Sequence, residues 1–389
     1  MFLIHNANII TMEEKDYPDG YLIIENGKIA EVGAKEALPK TPELFEKVID
    51  AQGQTVLPGF VDAHCHVGMW EEGGGFEGDD GNEDTDPVTP QLRAIDAVNP
   101  FDEAFENARR AGVTTVVTGP GSANVLGGQF AALKTIGNCV DKMIIKAPAA
   151  QKAALGENPK ITYSSKKQMP STRMATAAVL RETLAKAQEY KQAWEQYQQK
   201  PEEFDKPELD FKLESLIDVL NKKIPLKIHA HRADDICTAI RIGEEFGIRV
   251  TLEHCTEGHL IADILKEKNL PVMLGPTFGT KSKPELKHLS FDIYPKLEKA
   301  GLNFAIITDH PEIAIDQLHL CAVLAVKHGL SRKAALRAIT IYAAENTGIA
   351  DRVGSIRNGK DADLVFVSGD VLSIDAKVTA VYIDGKQVV

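Results

Sequence analysis

No stretch of about 18 consecutive apolar residues, the length a helix needs to cross a bilayer, occurs in the 389-residue sequence. The opening run MFLIHNANIITMEEKD also lacks the basic start and small-residue cleavage site of a secretory leader, so neither membrane insertion nor export is expected. Positive charge is in deficit: 44 Lys and Arg against 56 Asp and Glu leave a formal net charge of -12. Nucleic acid selects for basic faces, so a polyanion is not an expected partner, whereas a small molecule is. Cysteine is scarce. The five are odd in number, widely scattered and never in a Cys-x-x-Cys pair, which argues against a disulfide framework and for a reducing cytoplasm. Internal repeats are absent, and low complexity is confined to one acidic segment.

What is present is core-forming material. At 43% hydrophobic and 26% charged, the chain can bury a large domain plus a smaller one. Near the start, FLIHNANIIT, GYLIIENGKIAEVG with its Asn26-Gly27 hairpin signal, and KVIDAQGQTVLPG read as short strands joined by tight turns. DADLVFVSG and AKVTAVYIDGKQVV at the other end share that pattern, so the two ends, 1–57 and 353–389, are expected to form one sheet unit. Between them, over 58–352, short β-branched runs alternate with helical stretches: GVTTVVTGP, KMIIKAPA, PLKIHAHRA, IRVTLEHC, LPVMLGP and LNFAIITDHP. That is the pattern of a parallel α/β fold. A closed barrel is preferred to an open sheet, because His and Asp fall at the C-terminal ends of several separate runs and only a barrel brings those ends to one mouth.

Two segments interrupt the alternation. WEEGGGFEGDDGNEDTDPVTPQ is too polar and glycine-rich to pack a core and is expected as a mobile loop over the barrel mouth, its carboxylates solvated. The stretch from Ser171 to Lys223 is dense in helix formers and is expected as a long helix pair. GPGSANVLGGQ has glycines after a strand but no Gly-Lys-Ser/Thr ending. It is therefore read as a barrel loop rather than a phosphate loop, with Asn124 and Gln129 as candidate substrate contacts.

The run VLPGFVDAHCHVG holds the chemistry. Side chains alternate along a strand, so His64 and His66 share a face and can share a metal, while Cys65 faces the helix layer as a small buried hydrophobe. His-x-His alone is a weak signal. It gains weight from His229 ending PLKIH, His254 ending IRVTLEH and Asp309 in NFAIITDH, each where a strand meets its loop. Four imidazoles and a carboxylate suit zinc or a similar divalent ion.

These motifs, LPGFVDAHCHVG, KIHAHRADD, LEHCTEGH, ITDHP and the tail VGSIRNGKDADLVFV, resemble the amidohydrolase superfamily over nearly the whole chain, especially its imidazolonepropionase-like branch. The resemblance implies a distorted (β/α)8 TIM barrel with a small β-sandwich formed by both chain termini, and the habit of homo-oligomers. It implies one or two divalent ions, most plainly zinc. His64 and His66 would bind one, His229 and His254 the other, and Asp309 would bind metal and serve as the base. For the bridging ligand it points to a glutamate or a carboxylated lysine. Glu157, at a strand-to-loop junction, is preferred over Lys152, and Lys146 is taken as structural.

The implied reaction is hydrolysis of an amide or cyclic amide C–N bond by a metal-activated water. Deamination of a ring C=N bond and a metal-free scaffold are the alternatives. His231 shares the face of His229 and is expected to touch substrate or a ligand. Arg232 could receive a substrate carboxylate, and His310 could reach the leaving group. Glu257 and His259 are read as solvent-open loop residues, and His5, His288, His319 and His328 as surface residues.

Overall fold

The computed structural model describes residues 1–38 and 45–389, so the part of the expected terminal unit at 39–44 lies outside the described residues. The N-terminal segment gives β1 (Phe2–Ile9), β2 (Tyr17–Glu25), β3 (Lys28–Ala34), β4 (Lys47–Asp50) and β5 (Thr55–Pro58). β2 and β3 form the hairpin that Asn26-Gly27 signals, with φ of 50° and 78° at those two residues, as a type I′ turn requires.

The middle of the chain supplies β6 (Phe60–Cys65), β7 (Val113–Thr118), β8 (Leu126–Lys134), β9 (Ile144–Ala154), β10 (Leu226–Ala230), β11 (Val250–His254), β12 (Val272–Leu274) and β13 (Phe304–Ile306). They pair in sequence order as one eight-stranded sheet. The pairs are parallel except where β8 runs antiparallel to both β7 and β9, which makes the barrel a distorted one. Past the end of β13 the chain reaches the first strand: Asp309 N donates to His64 O (3.2 Å) and His66 N to His310 O (2.9 Å). Those two bonds draw the mouth closed around the residues that matter below.

The C-terminal strands β14 (Leu364–Ser368), β15 (Lys377–Ile383) and β16 (Lys386–Gln387) return to the first sheet, where β14 pairs antiparallel with β5. Both ends of the chain thus share a sheet, ordered β16-β15-β14-β5-β1-β2-β3 with β4 on β1. A buried ion cluster ties it to the barrel: Lys134 Nζ on β8 lies 2.5 Å from Asp363 Oδ2 and 2.9 Å from Asp361 Oδ2.

Three expectations are corrected. Ser171 to Lys223 is not a helix pair but one 27-residue helix, Arg173–Gln199, followed by two single turns, Phe211–Glu214 and Ile217–Leu220. The glycine-rich run after β7 is loop, as expected, only through Val125: β8 begins at Leu126, so Gly127, Gly128 and Gln129 are strand. The acidic segment keeps most of its carboxylates exposed, as expected, but it is held to the barrel: Val88 bridges to Leu126, and the Asn124 amide donates to Glu83 O and Asp86 O. No helix among the described residues is long and apolar enough to cross a membrane.

The main apolar core lies between barrel and helices and includes Cys65, as the alternation along β6 requires. The barrel interior is different. Beside a small apolar set around Val61, Val117 and Phe130 it buries His64, Lys152, Lys227 and Glu253. So many ionisable groups inside a barrel demand partners.

Candidate metal centre

β6 and the residue that follows it bring His64 and His66 to the mouth, where both meet Asp309. His64 Nδ1–H donates to Glu253 Oε2 (2.8 Å) and His66 Nδ1–H to Gly119 O (2.6 Å), so each ring presents its other nitrogen, Nε2, to the mouth. Asp309 Oδ1 stands 3.3 Å from His64 Nε2 and 3.2 Å from His66 Nε2. Burial, with help from the Lys152 and Lys227 ammoniums, holds the His64 imidazole down to about 3, so at neutral pH its Nε2 is a lone pair. A lone pair and a carboxylate oxygen are both acceptors and repel; what joins them is a cation. The spacing fits one, because tetrahedral zinc bonds put neighbouring ligand atoms roughly 3.3 Å apart.

A second group forms where β10 and β11 end. His229, His231 and His254 offer one nitrogen each, all within 4.8 Å of one another, as do those of His64, His66 and Asp309 within their own set. His254 Nδ1–H donates to Gly275 O (2.7 Å), and His231 Nδ1 bonds Thr256 Oγ1 (2.8 Å). His229 is buried with no hydrogen-bond partner at either nitrogen. Buried imidazole nitrogens are ordinarily satisfied, so these orphaned atoms fit a metal better than a vacant core position. Burial lowers all three imidazoles and keeps them neutral, the form that can ligate.

His66, Lys152, His229, His231, His254 and Asp309 line one cavity of about 820 Å³, with His64 buried beneath. Other expected site residues fall elsewhere. Lys152, not Glu157, reaches the first group: its Nζ is 3.3 Å from His64 Nε2. Glu157 opens the helix Glu157–Ser165 and faces away, its Oε2 accepting from Glu285 N (3.3 Å). Arg232 is paired with Asp234 (2.8 and 2.9 Å) beside a separate pocket that Glu157 also lines. Asn124 is buried, its amide donating to Glu83 O, Asp86 O and Thr89 Oγ1, so it pins the acidic segment instead of meeting substrate. Gln129 lies on β8 outside the cavity lining. His310 points back into the fold, where its Nδ1 accepts from Ile315 N (3.2 Å). Glu257 is buried rather than solvent-open, bonding His288 Nδ1 (2.7 Å) and Ala233 N (2.9 Å). His288 and His319 are thereby also engaged, the latter with Val371 O.

The residues that sequence reasoning passed over are Glu253, Lys227, Glu285 and Trp70. Lys227 Nζ lies 2.7 Å from Glu253 Oε2, behind His64. The Trp70 ring stands edge-on to His66 with centroids 4.7 Å apart. Glu253 had a signal, since it shares the strand face of Thr251, but its neighbour His254 obscured it. His254 and Cys255 have φ of 72° and 46°, which turns both Glu253 and His254 toward the interior.

The amidohydrolase family model matches residues 55–388, the barrel and the return to the terminal sheet. The chain belongs to the amidohydrolase family. Among solved members, an amidohydrolase from Thermotoga maritima MSB8 superposes with a TM-score of 0.95 at 43% identity, over 100% of both chains. The amidohydrolase tasK of Hapsidospora irregularis is 27% identical over 94% of this chain. The chain spans 39% of that relative's length. An imidazolonepropionase of Treponema denticola is 46% identical over 73 residues, 17% of this chain and 18% of that one. Membership supports hydrolysis as the general chemistry, and the two histidine-rich groups are sets of donors that could hold a metal ion.

Proposed function

We propose that the protein hydrolyses a C–N bond of an amide or cyclic amide, using a divalent metal, zinc in the first instance, held at the barrel mouth. The observation that carries the proposal is the meeting of acceptors: His64 Nε2, His66 Nε2 and Asp309 Oδ1 face one another within about the spacing of zinc ligands, in a cavity that the second imidazole group also lines. A divalent ion bound there lowers the pKa of water from about 16 toward about 7 and polarises a scissile carbonyl.

The chain's own residues would do the rest. Asp309, fixed against β6 through its backbone N, orients the attacking water, accepts its proton and returns it to the leaving nitrogen. His229 and His254 would hold a second ion. Lys152 is better placed than Glu157 for the expected ligand: burial holds its ammonium down to about 8, so roughly a tenth is free amine at pH 7, the form that would add CO2, with loss of a proton, to give a carbamate able to ligate metal. Trp70, Ile161, Phe278, Leu286 and Ile313 give the cavity an apolar wall, and Asn82, Ser122 and Asn158 give it polar groups. Arg232 is spoken for by Asp234 and outside this cavity, so the expected carboxylate receptor is withdrawn and the substrate is defined here only by its C–N bond.

Elemental analysis of protein purified without chelator, followed by a panel of amides and cyclic amides, tests the reading. Bound divalent metal and release of a carboxylate with an amine are expected, and Asp309→Asn should retain the fold while losing about 10²-fold or more in turnover. Release of ammonia from a ring substrate would reassign the protein as a deaminase. No metal, and no uptake of zinc or manganese, would make it a scaffold.

A further inference from the structure

The turn after the His64 and His66 pair sets a tryptophan against the site. Gly68, with φ of 81°, reverses the chain, and residues 69–71 then pair with 78–80: Asp80 N donates to Met69 O (2.9 Å), Glu71 N donates to Gly78 O (2.8 Å), and Trp70 bridges Asp79. The reversal lays the Trp70 ring edge-on to His66, with centroids 4.7 Å apart. Two glycines close on the indole. A Cβ on Gly81 would stand 2.2 Å from its Cζ2 and 2.3 Å from its Cη2, and a Cβ on Gly121, in the loop after β7, 2.6 Å from Cη2. Only residues without a side chain fit there, and a hydrogen bond from Gly121 N to Gly81 O (2.8 Å) ties the two together. The ring is nonetheless only partly buried, and with His66, Asn82 and Ser122 it lines the cavity of about 820 Å³.

We infer that Trp70 determines specificity, and that the substrate carries a planar apolar ring, aromatic or otherwise unsaturated, beside its scissile C–N bond, packed on the indole; this rests on the reading that the cavity receives the amide. Any group adjacent to a bond cut at His66 and Asp309 comes against Trp70, because the indole is the neighbour of His66 on the cavity wall. His66 itself has no need of that ring for its orientation, since Gly119 O already holds its Nδ1. A tryptophan placed there only as cover would be enclosed, whereas this one keeps a surface on the cavity. Held by His66, Gly81 and Gly121, the indole cannot turn aside, so it selects by fit, and a rigid flat wall fits a flat ring. Ile161, Phe278 and Ile313 extend the apolar lining for the rest of such a ring.

The chain has two tryptophans, and the other, Trp194, lies on the 27-residue helix outside the cavity lining, so Trp194→Phe leaves Trp70 as the one indole reporter. The full-length Trp194→Phe protein, incubated with zinc, is titrated with two matched pairs: phthalimide against cis-cyclohexane-1,2-dicarboximide, and benzamide against cyclohexanecarboxamide. Trp70 emission and calorimetry read binding, and zinc per chain is measured for every variant. An aromatic member should quench Trp70 and bind about three- to tenfold tighter than its saturated partner. By calorimetry, Trp70→Phe should retain most of that preference and Trp70→Leu should abolish it, with zinc per chain unchanged in both. Gly121→Ala, which pushes the ring from its slot, should shift the emission and weaken the preference; Gly279→Ala, whose Cβ meets open space in the same lining, should do neither. Loss of zinc together with both ligands in Trp70→Leu would mean that the ring only shields His66, and overturns the inference. So does the lack of a preference in both pairs, or of any change in Trp70 emission. Turnover is scored separately: a preference with no amide hydrolysed sinks the hydrolase reading alone, and hydrolysis with no preference sinks the role of Trp70 alone.

Discussion

Glu253 shows how much of this site is decided one atom behind the expected ligands. Its carboxylate is fully buried and meets His64 Nδ1 (2.8 Å), Lys227 Nζ (2.7 Å) and Thr251 Oγ1 (2.7 Å). Burial alone would raise its pKa, but the Lys227 ammonium and the His64 ring hold it well below the carboxylate range. An ionised Glu253 obliges His64 to carry its proton on Nδ1, and so fixes Nε2 as the ligand atom. Glu253→Gln keeps the shape and removes the charge, leaving Lys227 buried without a counter-ion. Zinc affinity should fall about 10- to 100-fold, and metal-free stability by about 3–5 kcal/mol. Zinc titration and urea unfolding check the two effects separately; unchanged zinc affinity would remove Glu253 from the positioning role.

At the scale of elements, two strand-end glycines supply the carbonyls that hold metal-facing rings. Gly119 follows β7 and accepts from His66 Nδ1; Gly275 follows β12, has φ of 136°, and accepts from His254 Nδ1. A Cβ on Gly119 would stand 2.3 Å from the Phe130 ring, which packs against His64 at 5.3 Å and lies beneath Lys152 and Lys227. Gly119→Ala should therefore cost about 1–3 kcal/mol and weaken metal binding together. Gly279→Ala, in the same cavity lining but with open space where its Cβ would go, should change neither. Equal behaviour of the two variants in zinc titration and thermal unfolding would sink this account.

Much of this level was legible in the sequence. β-branched runs marked most of the barrel strands, and their terminal His and Asp marked the mouth. Two features were hidden. β8 begins in Gly127-Gly128, which reads as loop, and β9 continues past KAPAA to Ala154, placing Lys152 inside a strand and leaving Glu157 to a helix. Nor could alternation foresee Asp309 at φ 55° or His254 at φ 72°, positions that only the closed barrel imposes on non-glycine residues.

For the whole molecule, the cost of burying so much imidazole should surface as acid sensitivity. His64 is held down to about 3 and His310 to about 4 from an ordinary 6.5, and His229, His231 and His254 are lowered as well, all chiefly by burial. Below pH 6.5 the unfolded chain binds protons at these groups that the folded chain refuses, so stability is full above pH 6.5 and is lost as pH falls toward the folded values. Asp62 works in the opposite sense. Burial pushes its carboxyl up to about 7, so between 3.8 and 7 the folded state holds a proton that the unfolded state has released, and stability from this residue grows as pH falls. His259 is lowered too, and Glu72, Asp235, Glu312 and Asp363 are raised along with Asp62, but only Asp62 among these carboxyls is moved as far as about 7, so the deeply buried imidazoles decide the balance, each tenfold change in proton affinity being worth about 1.4 kcal/mol. The urea midpoint of the metal-free protein should therefore fall from pH 6.5 to 4.5, before ordinary surface carboxylates titrate. Zinc should raise the midpoint far more at pH 7 than at pH 5, because protons and metal compete for the same nitrogens. A midpoint flat down to pH 4.5, or a zinc effect independent of pH, would show that these histidines are not held neutral in the fold.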